Sequence, residues 1–276
     1  MNEWEGWVGR TTTMRERLDA GQANHMAVTL GRDPVFGPGD ALPPAWHWLY
    51  FHDLVKASDL GPEGHPRLGL VMPPIPLARR MWAGGTLVFK SPILLGEVVE
   101  RRSTIKSITP KEGRSGPLCF VNVEHVLSSG NKALLVEEQT IVYREMSSET
   151  ESRKPAIHAA DAAFSREWTL NSTALFRYSA LTFNGHRIHY DADYCRFVEG
   201  YPNLVIHGPL LATLLLDLCV EEGLSPGRFT YRAISPLFLP GPLSVNGRAE
   251  GSSVKLWAGS REGGLAMEAK LEPLEH

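Results

Sequence analysis

The chain has 276 residues, 43% of them hydrophobic, and its 28 basic residues against 31 acidic ones leave a formal net charge of −3. That length and apolar content fill one large domain or two modest ones, while the even charge excludes general nucleic-acid binding, which needs a basic excess or cluster. The three cysteines, Cys119, Cys195 and Cys219, stand far apart with no CxxC pair, which excludes a disulfide framework or a cysteine zinc site and fits a reducing cytoplasm.

The first residues, "MNEWEGWVGRTTTMRERLDAG", are charged and lack the apolar core of a signal peptide. Residues Asn2 to Asn24 read as an amphipathic, capped segment, with Thr11 to Thr13 ahead of "MRERLDAG" and Gly21 ending it. A Pro/Gly-rich loop, Arg32 to Pro44, leads into "WHWLYFHD", whose His47 and His52 belong to an aromatic packing segment. In "PPIPLARRMWAGG", Pro73, Pro74 and Pro76 delay a helix start and leave a short helix. The stretches "GTLVFKSPILLGEVVERRSTIKSI", "LCFVNVEHVL" and "ALLVEEQTIVYRE" have the alternating, β-branched character of half-buried antiparallel strands. They complete a first unit, residues 1–146. The polar, serine-rich run at 147–167 reads as a linker.

The second unit, residues 168–273, repeats the order: a polar region, an apolar helix, then the strands "RFTYRAISPLFL", "GPLSVNGRAE", "SVKLWAGS" and "LAMEAKLE". Ser91-Pro92-Ile93-Leu94-Leu95-Gly96 is echoed by Ser235-Pro236-Leu237-Phe238-Leu239-Pro240-Gly241, near the start of each strand series. With the matching order of elements this favours an internal duplication; chance use of common turn residues is the plainer reading. The clearest helix is "HGPLLATLLLDLCVEEG", with Gly208 at the N-cap, Pro209 at the first helical position and Gly223 just past the end. It is apolar almost all round from Leu210 to Val220, so it should be buried inside a curved sheet. The most apolar segment, Leu204 to Val220, is broken by His207 and Asp217, so no membrane span is expected. The final "LEPLEH" resembles an expression-vector remnant, and Leu274 to His276 carry no functional expectation.

The stretch "TFNGHRIHYD" places His186 and His189 three residues apart. As a metal site they would share a helical face with Asp191 or Asp193 as oxygen ligands, but the spacing of a metalloprotease helix, i and i+4 with a glutamate, is missing. There is no GxSxG, P-loop or dinucleotide pattern, and the cysteines sit in apolar runs. What remains is an acid/base site. His189 can take and return a proton near neutral pH, Asn184 can hold a water, and the start of the buried helix can steady an oxyanion on a thioester carbonyl.

"Asn184-Gly185-His186-Arg187-Ile188-His189" resembles the Asp-x-Asn-Pro-aliphatic-His motif of MaoC-like (R)-specific enoyl-CoA hydratases, with His189 at the catalytic histidine. "HGPLL" resembles the glycine-led start of their central helix. "WHWLYF", "LARRMWAGG", "GRSGPL" and "ALTFNGHRIHYD" are similar to the branch of mesaconyl-C4-CoA hydratase (3-methylfumaryl-CoA hydratase) and itaconyl-CoA hydratase, from about Leu42 to the last strand. The resemblance implies an α+β double hot-dog, two curved antiparallel sheets each wrapped round a central helix, with a degenerate N-terminal unit that helps bind CoA. It implies a hydratase that converts itaconyl-CoA or mesaconyl-C4-CoA to citramalyl-CoA, with no cofactor and no metal beyond the CoA of the substrate. The catalytic set is His189, Asn184 and Gly208. Substrate-binding candidates are Arg79, Arg80 and Arg187, whose guanidinium groups match a carboxylate, together with Trp82 and His207. The family's aspartate is replaced by Asn184, so either His189 acts alone or Asp191 or Asp193 supplies the carboxylate. The rival readings are an enoyl-CoA hydratase or 3-hydroxyacyl-thioester dehydratase for ordinary acyl chains, a non-catalytic acyl-CoA-binding protein and a thioesterase. Paired hot-dog sheets allow a homo-oligomer.

Overall fold

The structure, a computed structural model, describes residues 4–113, 116–145 and 161–274. The expected domain boundary at 146/147, most of the linker and part of "GRSGPL" lie outside the described residues. Strand β6 already begins at Phe164, inside the span expected to be linker.

Among the described residues ten strands make one antiparallel sheet in the order β1-β3-β4-β5-β2-β7-β10-β9-β8-β6. The first five are β1 (Thr11–Arg17), β2 (Arg79–Phe89), β3 (Val98–Gly113), β4 (Gly116–Ser129) and β5 (Lys132–Arg144). The others are β6 (Phe164–Thr169), β7 (Arg228–Ala233), β8 (Pro242–Glu250), β9 (Ser253–Ser260) and β10 (Leu265–Glu272). Read from either edge, the order is first, third, fourth, fifth and second strand of a unit. The chain is therefore a duplication, and its two halves join edge to edge at β2 and β7. Thr86 pairs with Thr230 in the middle of that seam, their hydroxyls 3.3 Å apart. Pairing two edges in this way removes unsatisfied backbone groups that would otherwise invite aggregation.

The helices are α1 (Ala20–Thr29), α2 (Ser172–Leu181), the single turn α3 (Ala192–Tyr194) and α4 (Gly208–Glu221). Helix α4 packs against β8, β9 and β10. Ten consecutive residues, Leu210 to Cys219, are buried along it. Each of its six buried leucines contributes roughly 1.5–3 kcal/mol relative to exposure. Its N-cap is His207, so Gly208 is the first helical residue rather than the cap, and Gly223 follows the end at φ +74°.

Two N-terminal expectations are corrected. Thr11 to Arg17 is a strand paired with β3, and Gly21 lies in the first turn of α1, where its N–H bonds to the Asp19 cap, instead of ending the segment. "LARRMWAGG" forms β2, not a short helix. The prolines hold the approach extended, and Gly84 and Gly85 have no room for a Cβ against the backbone of Tyr231 and Glu138. The place of a central helix in this unit is held by a single 3-10 turn, Trp46–Leu49, so only the C-terminal unit wraps a full helix. The duplicated Ser-Pro stretches join β2 to β3 and β7 to β8, equivalent places in the two units. Among the described residues no helix is long and apolar enough to cross a membrane.

Candidate active site

Helix α2 ends at Leu181 with Thr182 as its C-cap, after which Phe183 turns the chain at φ +51° and the Asn184 N–H returns to Ser179 O (2.8 Å). Asn184 Oδ1 accepts from the His186 N–H (3.0 Å), a local turn that leaves the amide end as the donor able to reach the cleft. The chain then makes a 3-10 turn at Arg187–His189. Loop residues 61–66 from the first unit press onto this segment: Arg187 N–H bonds to Glu63 O (2.9 Å), and Gly64, at φ +92°, meets the Gly185 carbonyl where no side chain fits.

His189 is buried at 7% exposure, and its Nδ1 donates to Val205 O (2.8 Å). A backbone carbonyl only accepts, so the tautomer is fixed and Nε2 keeps its lone pair. Burial pulls His189 down to about 4, partly opposed by that hydrogen bond, so the ring is neutral at pH 7. One face of the ring stacks on His207 (centroids 3.6 Å, 18°), which is fully buried and shares a 2.8 Å hydrogen bond with Ser179 Oγ. His186 meets His189 edge-on at 5.7 Å, and His65 from the first unit lies 4.4 Å from His186. Burial holds all four rings neutral, pulling His186 to about 3 and His65 and His207 well below the ordinary value.

Gly208 also borders the cleft. The first N–H groups of a helix have no acceptor within it and carry partial positive charge, so the start of α4 offers a donor beside the His189 face. A Cβ on Gly208 would lie 2.7 Å from Trp82 Cε3. Trp82 stacks on Tyr231 (4.6 Å, 22°) and stands edge-on to Trp48 (5.8 Å). Trp48 Nε1 donates to Glu137 (3.0 Å), and His47 Nε2 lies 3.1 Å from the same carboxylate. Burial alone would raise Glu137, but the His47 hydrogen bond and charge bring it down to about 2. Buried contacts of His47 and Trp48 with Glu137 thus brace the aromatic wall opposite the helix start.

The structure brings His189, Asn184 and Gly208 to one cleft, together with Trp82 and Arg80. His207 is not a substrate contact: it supports His189 from behind. Arg79 is paired with Glu199 (3.2 Å), with Nη2 donating to the Glu199 carbonyl (2.7 Å). Arg187 holds Asp191 (2.8 Å) and donates to Pro62 O. Asp191 in turn caps α3 through Tyr194 N–H and is held low by that bond and by Arg187, so both of its carboxylate oxygens are engaged at this turn. Among the described residues no three His, Cys, Asp or Glu converge as a metal set; the histidines meet ring to ring. His65 and the His47–Glu137 pair went unread in the sequence. Neither has a local motif, and only the packing of distant segments brings them to the cleft.

The family described as hydroxyacyl-thioester dehydratase type 2 matches residues 45–239. The chain belongs to that family. It is 40% identical to mesaconyl-C(4)-CoA hydratase of Chloroflexus aurantiacus over 278 residues, 98% of either chain. Among solved structures it is similar to a MaoC-like dehydratase from Phytophthora capsici (TM-score 0.75, 12% identity, 100% of this chain and 98% of that one). It also matches a Mycobacterium tuberculosis protein described as having a double hotdog fold (TM-score 0.56, 13% identity, 96% and 95%). The double hot-dog fold is therefore established, and the enzyme is a hydro-lyase of the hydratase type.

Proposed function

We propose that the enzyme adds water to a short branched dicarboxylyl-CoA, mesaconyl-C4-CoA, giving citramalyl-CoA, with His189 as the acid/base. The observation that carries this reading is one cleft bordered by a buried neutral histidine with a free Nε2 and by the first N–H of α4. A water held by the Asn184 amide gives its proton to His189 Nε2 while its oxygen bonds to the β-carbon of the thioester. The π electrons move to the thioester oxygen, which is held at Gly208 N–H. His189 then returns the proton to the α-carbon, and the product differs from the substrate by one water. Burial makes the imidazolium costly, so it hands its proton on readily.

This route needs a double bond conjugated with the thioester. Mesaconyl-C4-CoA has one and itaconyl-CoA does not, which favours the former at a site built around a helix start. The near full-length likeness to a hydratase of that substrate supports the same reading. The test is turnover of mesaconyl-C4-CoA, itaconyl-CoA and crotonyl-CoA side by side, one arm with chelator. Citramalyl-CoA formed fastest from mesaconyl-C4-CoA, insensitive to chelator and lost in His189→Ala, is the expected result. Faster hydration of crotonyl-CoA would assign an ordinary acyl chain instead, and release of free CoA thiol would mark a thioesterase.

A further inference from the structure

We propose that Arg80 is the residue that selects the substrate's free carboxylate, an inference that rests on the dicarboxylyl-CoA reading above. Of the three arginines that could match a carboxylate, Arg79 and Arg80 border the cleft whereas Arg187 is not among its lining residues, and the structure separates them further. Arg79 is held by Glu199 and lies over the Tyr201 ring. Arg187 is held by Asp191 and lies over Tyr194. For Arg80, no carboxylate among the described residues comes within ion-pair distance, although the residue is half-buried and borders the cleft. A partly desolvated guanidinium without an anion is a costly arrangement that a bound carboxylate relieves.

Its surroundings fix where that carboxylate would lie. The Arg80 charge acts on His65 and His186, and it stands beside the Tyr143 phenol. His186 is in edge contact with His189. The base and the guanidinium therefore line one cleft, with the His186 ring in edge contact with the base. In mesaconyl-C4-CoA the free carboxylate sits on the carbon that receives the hydroxyl, so its position follows from that of the attacked carbon. Pairing it with Arg80 orients the double bond toward the water at His189. It also offsets negative charge next to the carbon where hydroxyl oxygen must approach. An ordinary acyl chain places methyl or hydrogen there and leaves the guanidinium without its partner, so Arg80 disfavours such chains as well as favouring the charged one.

The test measures kcat/KM for mesaconyl-C4-CoA and for 3-methylcrotonyl-CoA, which has methyl in place of the carboxylate, in wild type, Arg80→Gln and Arg80→Lys. Alongside it, calorimetric binding of succinyl-CoA against butyryl-CoA gives a readout that needs no turnover. Arg80→Gln should lower the mesaconyl to methylcrotonyl ratio by about 30-fold, and the succinyl to butyryl affinity ratio by a similar factor, the scale of a charge-assisted pair. Arg80→Lys, which keeps the charge and loses the fork, should fall between, and it carries the test if the glutamine variant does not fold. Ratios unchanged in both variants, with wild type still hydrating mesaconyl-C4-CoA, would overturn the Arg80 assignment and leave the proposed function intact. A wild type that turns over none of the thioesters would overturn the proposed function, while the succinyl-CoA arm still decides Arg80.

Discussion

The two units share one strand order, and their differences bear on why the candidate acid/base segment lies in only one of them. Ala41 bridges Leu94 as Val205 bridges Phe238, with matching hydrogen bonds from Leu42 to Ile93 and from Ile206 to Leu237. Counting on from these pairs, Pro43 and Pro44 stand where the second unit has His207 and Gly208. Proline has no N–H, so the first unit cannot offer an oxyanion donor at that place. Asp19 and Asn171 cap ten-residue helices, and Gly31 and Phe183 follow with positive φ, which sets Arg32 opposite Asn184. From there to Ala41 the first unit runs directly, whereas the second inserts the histidine segment before Val205. The first unit's long excursion comes later, between Leu49 and β2, and delivers His65 to the cleft, which Arg80 borders from the start of β2. Duplication thus left the candidate acid/base segment in one half and much of the cleft wall in the other.

The sharpest way to break this comparison is to remove the groups unique to the second unit. His189→Ala should lower kcat by about 10³-fold, within the range for a lost general acid/base, with an unchanged melting temperature as the folding control. A smaller loss is expected from imposing the first unit's proline. Because Trp82 occupies the space beside Gly208, the comparison is between Trp82→Ala/Gly208→Pro and Trp82→Ala/Gly208→Ala, which differ in the N–H. A kcat ratio of roughly 10²-fold is expected from the loss of one oxyanion donor; equal rates would remove Gly208 from the mechanism.

On the first unit's side, Glu137→Ala should act on stability. It strands His47 and Trp48 without their acceptor, at a cost of about 3 kcal/mol, read as a melting point roughly 10 °C lower in a chain of this size. Glu137 stands where the seam pairing puts Ala269 in the second unit, so a polar pair fills the space that α4 fills in its counterpart.

Acid should separate activity from stability. His65, His186, His189 and His207 are held neutral in the folded state and take protons near 6.5 once unfolded. Between about pH 6.5 and 4 the unfolded chain binds more protons, so stability rises with pH and is lost as pH falls through that window. Asp217, raised to about 6 by burial, works in the opposite direction, as one group against four. The melting temperature should drop from pH 7 to pH 5, while kcat/KM stays flat until His189 itself protonates near 4. Asn184→Asp should move that acid limb upward, because a carboxylate beside the ring favours its charged form. This is the smallest effect, and an unmoved limb would place Asn184 away from His189.

The sequence by itself determined β3 to β5, β7 to β10, the duplication and the buried helix, while β1 reads as a capped segment and β6 begins within the expected linker. Alternation of apolar residues, turn glycines and an unbroken run from Leu210 to Cys219 are local signals that burial on a sheet face requires. It also singled out His189 as the candidate acid/base, since a motif within six residues carries its own spacing. It misread β2, whose helix-like composition was overridden by pairing with β5 and β7. It did not settle which arginine meets the substrate, because pairing with Glu199 or Asp191 is decided by chain segments far from or folded back on each residue. His65 and the Glu137 pair belong to the same class. Their roles come from strand register and loop packing across the seam, and only the tertiary structure brings those segments within hydrogen-bond reach.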